Sequence, residues 1–178
     1  LPPAGLPPGG SRHFRPRRIH QPGRKRTFVN TPAKESPNKA MIDFTSLYQN
    51  VKDKFAEEDF ASGLNLLRDT AHRILEGGKL PISQEDVELF LQKAHWAIER
   101  AANYHREAFW DRDLQVIAAD IEKTGLKIIR KYDVQDVSVK ISYVRAACCV
   151  EKDPEKLKAL REERHALVVK ANALQKRS

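Results

Sequence analysis

Carboxylates are nearly missing from the first forty residues of this 178-residue chain, where Glu35 stands alone against nine Lys and Arg. Cysteine is scarce throughout. Cys148 and Cys149 are adjacent, and neighbouring cysteines pair only with strain. No second pair completes a metal site and nothing suggests a secreted disulfide scaffold, so the two read as small, half-buried thiols in a helix. No apolar run approaches the roughly 18–20 residues of a membrane-spanning helix. A phosphate-cradling glycine loop is also missing, since Gly77-Gly78 follows a helix and has no Lys-Ser/Thr beside it. Neither Gly-x-Ser-x-Gly nor Cys-x-x-Cys occurs.

What is present is a sharp division of charge. Nine of the 32 basic residues and one of the 24 acidic residues lie in residues 1–40, which leaves 23 of each for residues 41–178. The whole net charge of +8 therefore belongs to the arm, and the body is neutral. The arm also holds eight of the ten prolines, so it cannot form an amphipathic helix. It has too little apolar surface to offset its chain entropy, and the expectation is an extended segment ordered by a partner. Fully extended, it could reach about 130 Å. The first residue is Leu1, and Arg-rich, acid-poor composition marks organelle targeting. The expectation is a mature arm following a removed presequence, in a protein of the mitochondrial matrix.

From Ile42 the pattern becomes helical. Phe44, Leu47, Tyr48, Val51 and Phe55 share one face behind a capping Asp43. Leu64, Leu67, Ala71, Ile74 and Leu75 form a second stripe that stops at Gly77-Gly78. Ser83 to Asp86 resembles a capping box and opens a third helix bearing Val87, Phe90, Leu91, Ala94, Ile98 and Ala101. A fourth helix runs from about Trp110 to Tyr132, with Gly125 on its apolar stripe as a close contact or a stop. Residues 134–150 fit both an alternating strand and a helix. A helix is preferred, because a lone strand would leave its backbone groups without partners. Asp153-Pro154 starts the last helix, which carries Leu157, Leu160, Leu167, Val168, Ala171 and Leu174. The expected fold is all-α, with six helices as three antiparallel hairpins over residues 41–178, either repeat-like or an irregular bundle.

Candidate chemistry is sparse. Asp69-x-x-His72 and Glu162-x-x-His165 place an acid and a histidine on one helix face, as di-iron bundles do, but no apolar-stripe Glu completes the set. Both read as solvated faces, and no catalytic residue, metal or cofactor is expected. His95, Trp96, Tyr104, His105, Phe109 and Trp110 make an aromatic-rich stretch. Hairpin packing explains it, and a docking surface is the alternative, with Trp96, Tyr104, Phe109 and Trp110 as interface candidates. The sharpest signal is Ser11 to Arg26. Arg12, Arg15, Arg17, Arg18, Arg24, Lys25 and Arg26 suit phosphate contacts, and Phe14 suits a stacking wedge. Pro and Gly keep this stretch extended along an irregular polyanion such as folded RNA.

Four resemblances follow from these residues. The helical hairpins over 43–176 resemble tetratricopeptide and pentatricopeptide proteins in element order. The segment Ser11 to Arg26 looks like the extensions by which ribosomal proteins thread between RNA helices. Leu47-Tyr48-Gln49 with Phe55 is faintly similar to the Leu-Tyr-Arg family of small mitochondrial proteins but lacks the Arg, so these residues are assigned to the core. The ribosomal likeness implies a structural protein of a mitochondrial ribosome, with rRNA and neighbouring ribosomal proteins as partners. The three-hairpin body is also similar to the p18 family of euglenozoan mitochondrial ATP synthase subunits, which implies instead an accessory subunit lying on the F1 head. A neutral body argues against an RNA-reading face and for protein contacts.

Overall fold

The computed structural model describes residues 41–77, 82–104 and 111–178, and the arm therefore lies outside the described residues. Within them the apolar stripes become six helices: α1 (Phe44–Ala56), α2 (Phe60–Glu76), α3 (Gln84–Tyr104), α4 (Arg112–Lys131), α5 (Val137–Val150) and α6 (Pro154–Gln175). No strand occurs among the described residues, so residues 137–150 are helical as preferred. No described helix is long and apolar enough to cross a membrane.

Five helices open on an aspartate cap, at Asp43, Asp59, Asp111, Asp136 and Asp153. Each carboxylate accepts an N–H that the first helical turn leaves unpaired. Asp43 and Asp59 are held below the usual carboxylate range by hydrogen bonds from Ser46 and Ser62. At α3 the Ser83 hydroxyl accepts from the Asp86 N–H at 3.1 Å, the first half of the anticipated box, and donates to the Asp86 carboxylate at 2.8 Å. The ends of α1 and α4 share another device. Glu58 and Asp133 adopt left-handed backbone, at φ 61° and 49°. The N–H three residues beyond each helix then returns to a carbonyl five residues back, Asp59 to Lys54 at 2.9 Å and Val134 to Ile129 at 3.1 Å.

The hairpins α1–α2, α3–α4 and α5–α6 stack so that their first helices run alongside one another. Phe44 meets Phe90 at 6.2 Å between ring centroids, and Lys93 lies 5.0 Å over the Tyr48 ring, so α1 and α3 point the same way. Glu88 accepts from the Gln135 N–H at 3.1 Å, while the Tyr143 hydroxyl donates to the Leu91 carbonyl at 2.8 Å, so α5 repeats that direction against α3. The second helices α2 and α4 pack closely together. Their ends are tied where the Tyr132 hydroxyl donates to the Ile74 carbonyl at 3.2 Å and the Lys131 ammonium to the Leu75 carbonyl at 2.6 Å. Between these layers lie fully buried Leu64, Ile74, Val87, Phe90, Leu91 and Ile128.

Two glycines bring neighbouring helices close. A Cβ on Gly63 would fall 2.5 Å from the Phe55 ring. A Cβ on Gly125 would collide with the ring of Tyr143, so Gly125 marks a close helix contact and not a helix stop. Tyr143 is 1% exposed, and burial pushes its phenol well above the ordinary tyrosine range, with the Glu122 charge adding to the effect. Glu122 is itself raised by desolvation.

Two outcomes follow for stability. Gly125→Ala has no room unless Tyr143 leaves Leu91, and overpacking of this kind costs about 1–3 kcal/mol. A fall in the urea midpoint at unchanged slope is the expected reading, and an unchanged midpoint would show that the ring moves freely. Glu122→Gln removes a carboxylate whose charged form is penalised in the folded state. Its folded pKa is raised, so the native carboxyl is compatible with folding below its unfolded value of about 4.3 and costs stability as pH rises through the folded value. The thermal midpoint of Glu122→Gln is therefore expected above the parent at pH 7 and equal to it below about pH 4, as followed by circular dichroism.

Candidate functional site

Of the residues singled out by sequence, the arm cations Arg12, Arg15, Arg17, Arg18, Arg24, Lys25 and Arg26, with Phe14, lie outside the described residues, as do Phe109 and Trp110. Trp96 and Tyr104 lie within them. Their placement differs in kind, although both side chains are exposed by more than half.

Tyr104 ends α3 with its ring tilted against Phe60 at 4.8 Å between centroids. A hydrogen bond with Glu58, the left-handed residue after α1, raises its phenol. Tyr104 thus joins the α1–α2 turn to the end of α3, and hairpin packing accounts for it.

Trp96 is different. Helical periodicity places Val87, Phe90, Leu91, Ala94, Ala97, Ile98 and Ala101 of α3 in the core and turns Trp96 to the opposite side. It borders a groove of about 510 Å³ between α1 and α3. Val51, Phe55, Leu67 and Ala97 line the groove's apolar part. Its charged lining residues are Lys52, Lys93 and Arg100, and no carboxylate is among them. Two of these cations rest on aromatic faces. The Arg100 guanidinium lies 5.2 Å over Trp96, and the Lys93 ammonium lies 5.0 Å over Tyr48. Such stacking orients the cations without neutralising them. The Tyr48 hydroxyl is buried without a hydrogen-bond partner among the described residues. Burial, and secondarily the Asp86 charge, pushes its phenol well above the ordinary range. The groove therefore combines an exposed indole, an apolar floor and three cations, which suits a partner segment presenting an apolar side chain beside carboxylates.

Sequence reasoning named Trp96 but not Arg100 or Lys93. The spacing of Trp96 and Arg100, four apart on one helix, was the available signal. The two acid–histidine spacings do not form sites. His72 turns from Asp69 to Asp120 of α4, at 2.8 Å, and Asp69 lies 3.7 Å from its neighbour Arg68. Glu162 and His165 line a shallow surface depression on α6. Cys148 is half-buried and Cys149 exposed, both as free thiols within α5. Among the described residues, no group of three or more His, Cys, Asp or Glu side chains could hold a metal ion.

No family model, curated protein or solved structure matches the chain.

Trp96→Ala separates docking from folding. Because the ring is 57% exposed and its stacking with Arg100 is a surface contact, its loss is expected to change stability by no more than about 1 kcal/mol. Where the groove seats a partner protein, recovery of that partner with the chain falls in the same variant. A loss of several kcal/mol in denaturant unfolding would instead make Trp96 a core residue.

Proposed function

We propose that this chain is a non-catalytic structural subunit of a large mitochondrial assembly, and that the assembly is the mitochondrial ribosome. The observation that carries the reading is the division of charge, with nine basic residues and one acid in residues 1–40 and 23 of each thereafter. An arm of that composition, dense in Arg and Pro, suits the phosphates of folded RNA. In this reading Arg12, Arg15, Arg17, Arg18, Arg24, Lys25 and Arg26 contact phosphates and Phe14 stacks on a base. The helical body packs on neighbouring proteins, and the Trp96 groove supports that role because it offers a protein-like anchor.

A second reading has its own support. The first helices of the three hairpins run in one direction, as in helical-repeat proteins. That arrangement favours an accessory subunit of mitochondrial ATP synthase or another respiratory complex, where the arm would lie on an acidic protein surface.

The test is twofold. Replacing the seven arm cations by alanine is expected to abolish co-sedimentation with ribosomal particles, and normal co-sedimentation would sink the ribosomal reading. Nuclease treatment of the native assembly is expected to release the chain from a ribosome. Retention after nuclease, in a particle without RNA, selects the respiratory reading.

A further inference from the structure

The second helix of the third hairpin does not continue the stacking of the first two hairpins. The helices α2 and α4 pack closely, and a regular array would lay α6 against α4 in the same way. Instead α6 packs along α5 and not closely along α4. The gap that results is a cleft of about 900 Å³ walled by α4 and α6. Its apolar surface includes Val116, Leu126, Val150 and Leu160. Val116 and Val150 are 60% and 59% exposed, although both border this cleft. Along α4 the lining extends from Val116 to Arg130, a rise of about 21 Å, the length of a four-turn helix.

The charges around the cleft are unequal. Three carboxylates line it, and each is engaged. Asp120 meets His72 at 2.8 Å, Glu163 meets Arg130 at 3.6 Å, and Glu151 accepts the N–H groups of Lys152 and Asp153 at 3.0 Å each. Lys123, Lys127 and Lys156 also line it, are exposed, and have no ion-pair partner among the described residues. Lys123 and Lys127 sit one turn apart on α4, where like charges repel. An apolar floor the length of a short helix, rimmed by three ammonium groups without ion-pair partners among the described residues, is complementary to an amphipathic helix flanked by acids.

We propose that the cleft between α4 and α6 docks an acidic amphipathic helix of a partner protein, which seats in the gap that the third hairpin leaves open. The proposal rests on the reading of the chain as an assembly subunit, but its chemistry is set by the cleft and can be tested without any assembly. The basic arm is a poor occupant, because it would bring further positive charge to the lysines.

The probe is a synthetic 18-residue peptide of Leu, Ala and Glu, with leucines at helical spacing and glutamates on both flanks. A scrambled peptide of identical composition has the same charge and no apolar face. Each is mixed with the full chain and joined by a zero-length carbodiimide, and the coupled lysines are mapped by mass spectrometry. Coupling of the amphipathic probe to Lys123, Lys127 and Lys156 is the expected result. Its affinity, read by fluorescence anisotropy, is expected to fall at least ~10-fold in the Lys123→Glu, Lys127→Glu, Lys156→Glu variant and in the scrambled control. The corresponding Gln variant, which reverses no charge, is expected to lie between, and it serves if circular dichroism shows the Glu variant to be unfolded. Coupling confined to Lys25, Lys34 and Lys39, equal binding by the scrambled peptide, or equal binding to the variants overturns the proposal. So does coupling of these lysines to a second copy of the chain in preference to the probe. None of these results touches the arm experiment, so the two readings fail separately.

Discussion

The arrangement of the helical body turns on one side chain. Tyr143 reaches from α5 across the bare backbone of Gly125 in α4 and donates its hydroxyl to the Leu91 carbonyl of α3 at 2.8 Å. Three helices are fixed by a single ring. A glycine inside a helix costs about 1 kcal/mol relative to alanine, and burial of an aromatic side chain that large offsets it. The hydroxyl must keep its acceptor, because an unpaired polar group at that depth costs about 1–3 kcal/mol. The contact is therefore specific in distance and direction. It admits α5 at one place along α3 and α4, and it leaves no alternative register in which the ring is both buried and hydrogen-bonded.

That constraint explains the third hairpin. Because α5 is drawn against α3 and α4, its remaining surface is what α6 can pack on. The helix α5 has 14 residues and α6 has 22, so α6 exceeds it by about 12 Å. Leu160 is the one apolar residue of α6 that becomes buried, while Val168, Val169 and Leu174 are exposed. The helix α6 thus follows α5, which Tyr143 holds against α3 and α4, and stands apart from α4. The cleft lined by Lys123, Lys127 and Lys156 is the space so created.

The sequence was legible wherever a structural cause lay within a few residues. Asp43, Ser83 with Asp86, and Asp153 announced helix starts, and the stripes of α1 to α4 named most of the core. Residues 134–150 were ambiguous for a physical reason. With neighbours in α3, α4 and α6, α5 is half-buried around much of its girth, and the period that separates helix from strand is blurred. The turn between α1 and α2 carried no signal, because its left-handed position is held by Glu58 and not by the glycine that usually marks one. The His72–Asp120 contact spans 48 residues and has no local trace. Trp96 could be nominated as an aromatic, but its exposure and its groove depend on α1, which no local pattern places beside it. The arm's path lies outside the described residues, and the charge division remains the evidence for its role.

The body's neutrality conceals a sorting of charge with a structural origin. Every cap that opens a helix recruits an aspartate, whether as the cap itself or, at α3, as the partner of Ser83. Five of those carboxylates accept backbone N–H groups and the sixth, Asp86, accepts the Ser83 hydroxyl, all at helix N-termini, where the helix dipole also favours them. Lysine and arginine have no such obligation and lie along the helix flanks together with the remaining acids, Asp120 and Glu163 among them. Both grooves run along flanks. Lys52, Lys93 and Arg100 line the α1–α3 groove without a carboxylate, and the unpaired lysines of the α4–α6 cleft face carboxylates already engaged elsewhere. A count of 23 against 23 therefore describes the sum and not the surfaces. Short-range fields decide docking, since charges farther apart than about 8 Å are largely screened at physiological salt. At that range the capping acids do little to cancel cations in the middle of a groove, and a neutral body can still present cationic grooves to acidic partners.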